Sequence, residues 1–147
     1  MTDTTNLVKI AFRDEDGDVE TLWAARMGPN TYRLDNVPFF QYGVSWSDVI
    51  EAIAEDEGFP LFTRVIEKSG HRTMRALLEE PREEDDPFFG RLLELGCTLE
   101  RATPRFIAIN VPPGVDIQAV ARHLAVSGVD WEPADPSWED LKDKGDS

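Results

Sequence analysis

Three observations predict an α+β fold for this 147-residue chain. The first half carries short runs of alternating apolar and polar residues, separated by Gly, Pro, Asn and Asp, as strands joined by tight turns do. After residue 86 the apolar spacing lengthens to that of a helix in two places. Strand-like runs persist between and after those two places, so the second half is mixed rather than helical.

Leu7 to Arg13 alternates, with Val8, Ile10 and Phe12 on one side, and reads as a half-buried strand. Val19 to Arg26 resumes strand chemistry after Asp16-Gly17, a dipeptide that tolerates the positive φ of a hairpin turn. Gly28-Pro29-Asn30 makes the next turn, Thr31 to Leu34 the third strand, and Pro38 ends or edges it. Asp48 to Ala54 and Pro60 to Lys68 flank Glu57-Gly58 as two further strands. Ser69-Gly70 turns the chain into a sixth, His71 to Leu78, with Met74, Ala76 and Leu78 on one face and His71, Thr73 and Arg75 on the other. Short strands with tight turns suggest an N-terminal antiparallel sheet or small open barrel.

Asp86 before Pro87 is a helix cap followed by a favoured first residue; Phe88, Leu92 and Leu95 recur at helical spacing, and Gly96 closes the helix. Thr98 to Ala102 and Phe106 to Val111 are strands. Asp116 caps a second helix striped by Ile117, Val120, Ala121 and Leu124 and closed by Gly128, and Val129 to Glu132 is a last strand. From His71 onward the order is therefore β-α-β-β-α-β, the split, ferredoxin-like order. The expected organisation is a disordered N-terminus (1–6), a β lobe (7–70), a ferredoxin-like α+β lobe (71–132) and an acidic, flexible tail (133–147).

The chain carries 29 acidic against 15 basic residues, a formal net charge of -14. Such a balance disfavours bare nucleic acid, whose phosphates need Lys and Arg, and favours encounter with a basic protein. Cys97 is the single cysteine, so no internal disulfide forms and a reducing compartment is the natural home. Met1 to Asn6 lack the basic start and apolar run of a secretory signal, and no apolar run approaches a membrane span. The expectation is a soluble, cytoplasmic protein with no membrane partner.

Several blocks carry a family resemblance: Leu22-Trp23, Tyr32 to Phe40, Gly43-Val44-Ser45, Asp48-Val49, Val65 to His71, Leu95-Gly96-Cys97 and Val111-Pro112-Pro113. Together they resemble the bacterial family called domain of unknown function 4265, over about Val8 to Glu132. The resemblance implies one folded bacterial domain. It implies no reaction, cofactor or catalytic residue.

Candidate chemistry is sparse. Asp14 to Asp18 has the acids of a calcium loop, but Val19 and Ala25 stand where such a loop needs Gly and Glu, so a hairpin turn is the better reading. His71, Cys97 and His123 are too scattered for a metal site, and neither a metal nor a cofactor is expected. A Cys97–His71 nucleophile pair requires the two side chains to meet; a buried structural Cys is the commoner case. Three groups remain. Glu79, Glu80, Glu83, Glu84, Asp85 and Asp86 form an acidic run suited to a basic partner, or to a solvated turn. Phe39, Phe40, Tyr42 and Trp46 form an aromatic loop, either core rings or the lining of a ligand site or interface. Arg64, Lys68, His71 and Arg72 form a basic cluster, either paired with the chain's own acids or gathered as an anion site at Ser69-Gly70.

The leading expectation is a non-catalytic acidic binding protein, narrowly an immunity-type inhibitor of a basic protein or toxin. The alternative is a small-molecule or anion-binding regulatory domain with a pocket lined by Tyr42 or Trp46 near Arg64 or Arg72. The third is a weak enzyme using His71.

Overall fold

A computed structural model describes residues 7–136. Strands β1 (Leu7–Arg13) and β2 (Val19–Arg26) pair antiparallel along their whole length, Leu7 opposite Ala25 and Arg13 opposite Val19. Asp14 sets their turn: its Oδ1 accepts from the N–H groups of Asp16 and Asp18, both at 2.9 Å, while Gly17 takes a φ of 87°. The acids of the calcium-like run thus build a hairpin. β3 (Thr31–Leu34), β4 (Val49–Ile53) and β5 (Leu61–Glu67) continue the antiparallel ladder.

The barrel is closed rather than open. β5 returns to β1 in parallel at Ala11 and Leu61, and the Ala11 N–H donates to the Pro60 carbonyl at 2.9 Å. Two register shifts in the β4–β5 pair supply the curvature, since a bulge bends and twists the strand that carries it. Ile10, Phe12, Leu22, Leu34 and Ile50 fill the interior, joined by Val44 from the β3–β4 connection.

The second half comprises β6 (Arg72–Leu77), α1 (Pro87–Leu95), β7 (Thr98–Arg101), β8 (Phe106–Val111), α2 (Ile117–Val126) and β9 (Asp130–Asp135). Its sheet runs β7-β8-β6-β9 and every neighbouring pair is antiparallel. Both helices lie on one face. Met74 and Ala76 of β6, Leu78 just after it, and Ile107, Ile109 and Val111 of β8 pack there with Phe88, Leu92, Val120 and Leu124. Asp86 and Asp116 cap the helices, accepting from the N–H groups of Phe88 and Gln118 at 2.9 Å.

The chain is therefore α+β, mostly sheet, with two helices among the described residues. Most ends fall within a residue of the expected ones. The exception is the last strand: β9 continues to Asp135, so residues 133–135 belong to the sheet rather than to a tail. Ala134 is buried, and its carbonyl accepts from the Gly43 N–H at 2.9 Å. The N-terminal expectation for 1–6 and the tail expectation for 137–147 lie outside the described residues. Among the described residues no helix is long and apolar enough to cross a membrane.

Gly96 ends α1 at a φ of 105°, and a Cβ built there would lie 2.8 Å from Val115 Cγ2. Left-handed backbone and a clash against the α2 approach both oppose a side chain. Gly96→Ala is expected to cost about 1–3 kcal/mol, read as a lower urea midpoint. An unchanged midpoint would mean that neither constraint is felt.

Candidate functional site

The helix-free face of the four-stranded sheet is where the two halves meet. Alternation along β6 points Thr73, Arg75 and Leu77 outward on this face. Opposite them on β8 stand Asn110, Ala108 and Phe106, and on β9 Asp135, Glu132 and Asp130. The connection between β3 and β4, residues 35–48, crosses the face. It covers the first two rungs and leaves the third open: relative exposure is 0% at Thr73, 3% at Arg75 and 44% at Leu77.

At the first rung the cover is polar. Asp48, fully buried, accepts from the N–H groups of Ser45 and Ser69, both at 2.9 Å, and from the Lys68 ammonium. The same ammonium contacts Asp135 and donates to the Gly43 carbonyl at 3.1 Å. Ser45 Oγ donates to Asp135 at 2.6 Å and lies 2.7 Å from Thr73 Oγ1. Every charge here has an opposite within reach, as a buried charge requires.

At the second rung the guanidinium of Arg75 enters a nest of carbonyls. Nη2 donates to the Gln41 and Pro38 carbonyls, Nη1 lies 3.6 Å from Glu132 Oε1, and the Tyr42 ring covers the guanidinium at 5.0 Å. Nε has no partner among the described residues. Burial pulls the Arg75 pKa down, with Glu132 opposing. Tyr42 donates to Glu132 at 2.8 Å, and that bond to a carboxylate is the main cause raising its own pKa.

At the third rung the cover stops. A groove of about 340 Å³ opens over the sheet, lined by Arg75, Leu77, Phe106, Asp130 and Glu132 and by the strands themselves at Ala76 and Trp131, whose side chains pack on the helix side. Phe40 stands beside it, its ring 5.6 Å from that of Phe106 and 62% exposed. The floor is apolar, and the β9 side carries two carboxylates.

The structure divides the residues that sequence grouped. In the aromatic loop, Phe40 and Tyr42 are exposed while Phe39 and Trp46 are half-buried, so the loop is surface rather than core. Trp46 packs edge-on against His71 and donates from Nε1 to Asp35. The four cations do not gather into one anion site. Arg64 pairs with Glu51 at 3.3 Å on the barrel surface, and Lys68 joins the buried node. His71 Nδ1 lies 3.1 Å from Asn110 on the outer face. Arg72 turns to the helix side and donates to the Pro112 and Val115 carbonyls. The physical reason is that Arg64 belongs to the barrel and Lys68 to the link after it, while alternation sends His71 and Arg72 to opposite faces of the second sheet. The groove lies beside Tyr42 and is lined by Arg75, whereas Arg64 and Arg72 do not line it.

Glu79, Glu80, Glu83, Glu84 and Asp85 are exposed, whereas Asp86 is taken by the cap of α1 and lies 3.6 Å from Arg82. Cys97 belongs to the helix-side core, so it and His71 lie on opposite faces of the sheet and form no pair. His123 is half-buried, stacked on Phe88, with Nε2 2.9 Å from the Phe88 carbonyl. Glu132, Asp130, Phe106 and Leu77 escaped sequence reasoning. Their only signal was the outward parity of three adjacent strands, which is invisible until the strand order is known.

These features define a small two-part α+β domain, a closed barrel seated on the bare face of a helix-backed sheet. The chain belongs to the family described as domain of unknown function (DUF4265), whose model matches residues 20–131. Its fold is similar to the crystal structure of a hypothetical protein from Neisseria gonorrhoeae, with a TM-score of 0.69 and 16% identity over 88% of this chain and 93% of that one. At that identity the likeness is one of fold. No curated protein matches the sequence.

Two measurements check the energetics. Lys68→Met strands the buried Asp48 without its cation. The expected loss is about 2–4 kcal/mol, below that of a fully enclosed pair, because Lys68 is 44% exposed and two N–H donors remain on Asp48. Arg64→Ala removes a surface pair and is expected to cost less than about 1 kcal/mol; equal losses from the two variants would refute the assignment. Burial pushes the Cys97 thiol up to about 11. The folded state therefore holds its proton more tightly than the unfolded chain. The stability it contributes is full below the ordinary thiol value of 9.0 and is lost as pH rises toward about 11. At pH 8 a disulfide reagent is expected to modify Cys97 slowly in the native protein and quickly in denaturant; equal rates would place the thiol outside the core.

Proposed function

We propose that the protein is a non-catalytic binding protein whose partner is a basic protein. One observation carries the reading. Glu79, Glu80, Glu83, Glu84 and Asp85 are exposed on a single connection and form no ion pair among the described residues, in a chain of net charge -14. Like charges held together repel one another, so such a run is a cost to the isolated fold and a gain when a cationic surface meets it. It also speeds encounter. The narrower form of the proposal is an immunity-type inhibitor that neutralises a basic toxin-like protein. The buried, unpaired Cys97 fits a reducing compartment such as the cytoplasm.

A second reading, binding of a small anionic molecule, is favoured by the unpartnered Arg75 Nε beside the groove. It is weakened by Asp130 and Glu132, which would repel that ligand. We further infer that β6 to β9 form a ferredoxin-like unit. Supporting it are the sheet order β7-β8-β6-β9 and two helices that each join strands lying one apart in the sheet.

The test replaces the five carboxylates by Gln or Asn and compares both proteins as baits in lysate of the native host. The wild type is expected to retain a basic protein at low salt and to release it as salt rises, and the variant to retain at least tenfold less. Absence of any basic protein on the wild-type bait at low salt would sink the proposal.

A further inference from the structure

We infer that the open rung over Leu77 is where the basic partner seats an apolar side chain flanked by lysine or arginine. The inference rests on the basic-partner reading and gives it a place and a chemistry.

Four observations lead there. First, the outer face of β6 is otherwise covered. Thr73 and Arg75 are 0% and 3% exposed under the 35–48 connection, whereas Leu77, next on the same face, is 44% exposed. An uncovered apolar position at the end of a covered row is where something outside the chain can continue the cover. Second, the space is the right size. About 340 Å³ floored by Leu77 and Phe106 holds one or two apolar side chains, and it sits at the low end of ligand cavities. Third, the wall has a sign. Asp130 lies opposite Leu77 on β9, Glu132 lies opposite Arg75, and both line the groove. Fourth, the acidic connection begins where the groove ends. Glu79 and Glu80 follow directly on Leu77 and Leu78 and are exposed, so the acidic connection leaves the sheet from the strand end that carries the open rung.

The occupant therefore needs an apolar centre and a cationic surround. A plain polycation would satisfy the carboxylates and leave the apolar floor wet. A plain apolar segment would meet the Asp130 carboxylate, which has no ion pair among the described residues, at the rim, where desolvating a charge without a partner is costly. A small carboxylic acid would find Arg75, but Glu132 and two loop carbonyls already hold that guanidinium. A second copy of this chain would bring its own excess of carboxylates to the same rim. Basic side chains around a buried apolar anchor are the composition that answers all of these.

The probe is a set of synthetic peptides in which one Leu, Phe or Trp is flanked by two lysines on each side, with an all-lysine peptide and phenylacetate as comparators. The full-length protein, labelled with ¹⁵N, is titrated with each while amide signals of Leu77, Phe106, Asp130 and Glu132 are followed. The apolar-centred peptides are expected to move these signals and to bind at least tenfold more tightly than the all-lysine peptide. Leu77→Ser and, separately, Asp130→Asn are each expected to weaken them by at least fivefold. Asp130→Asn alters an exposed side chain and so keeps the test meaningful if Leu77→Ser perturbs folding. Peptides that bind and move only the residue 79–85 signals would overturn the groove while leaving the basic-partner reading standing. Phenylacetate shifting the groove more than the peptides do would replace the occupant with a small acid. If no probe moved the groove signals, the site itself would be refuted, whatever the lysate experiment gave. If signals shifted with protein concentration alone, a second copy would be the occupant.

Discussion

Lys68 contacts two carboxylates that belong to different halves of the molecule, Asp48 at the end of the barrel's β3–β4 connection and Asp135 at the end of β9. The seating of the barrel on the sheet depends on this contact. Asp48 is fully buried, and a buried carboxylate without a cation is among the most costly things a fold can contain. Lys68 lies in the short link from β5 to β6, so the residue that neutralises Asp48 also fixes where the chain leaves the barrel and enters the sheet. Ser45 and Thr73 complete the node with hydroxyls from either side. The joint between the halves is thus made of charged hydrogen bonds, which weaken steeply as geometry degrades.

The node fixes one end of the 35–48 connection, and the barrel fixes the other. Asn36 accepts from the Trp23 N–H at 2.6 Å, and Glu20 accepts from the N–H groups of Phe39 and Phe40. Between the anchors the carbonyls of Pro38 and Gln41 aim at Arg75, and Val44 drops into the barrel core. A connection held this way has a definite reach. It spans the rungs of Thr73 and Arg75 and turns back before Leu77. The open groove is thus a consequence of where the anchors stand, and Phe40 and Tyr42 are exposed because they sit at the edge of the cover.

Much of the fold was legible along the sequence because it is locally encoded. Alternation marked the strands, Asp86 and Asp116 marked the helix starts, and Gly96 marked an end. What failed was non-local. Barrel closure rests on a single parallel pairing between Ala11 and Leu61, two elements fifty residues apart with nothing in either run to announce it. β9 outruns its expected end because Asp135 is held by Lys68 and Ser45, partners far from it in sequence. The candidate site shows the same limit more sharply. Proximity in sequence grouped Lys68, His71 and Arg72, yet alternation sends Arg72 to the helix face and leaves His71 on the other. Proximity missed Glu132 and Asp130 entirely, since they reach the groove only through the pairing of β9 with β6.

Charge and apolar surface contribute to binding on different timescales, and this chain presents both in one place. An acidic surface lengthens the range over which a cationic partner is drawn in, which raises the association rate and falls with salt. It does little to hold the partner, because exposed ion pairs are worth only about 0–1 kcal/mol each. Residence comes from desolvated apolar contacts at the centre of an interface, where most differences in dissociation rate arise. An acidic connection without a groove would give fast, weak and unselective capture of any cation. A groove without the acids would be a small apolar patch of the kind most protein surfaces carry. With the acids of residues 79–85 beginning beside Leu77, the first can steer a partner toward the second. On the proposed reading, selectivity lies in the requirement that one ligand satisfy both.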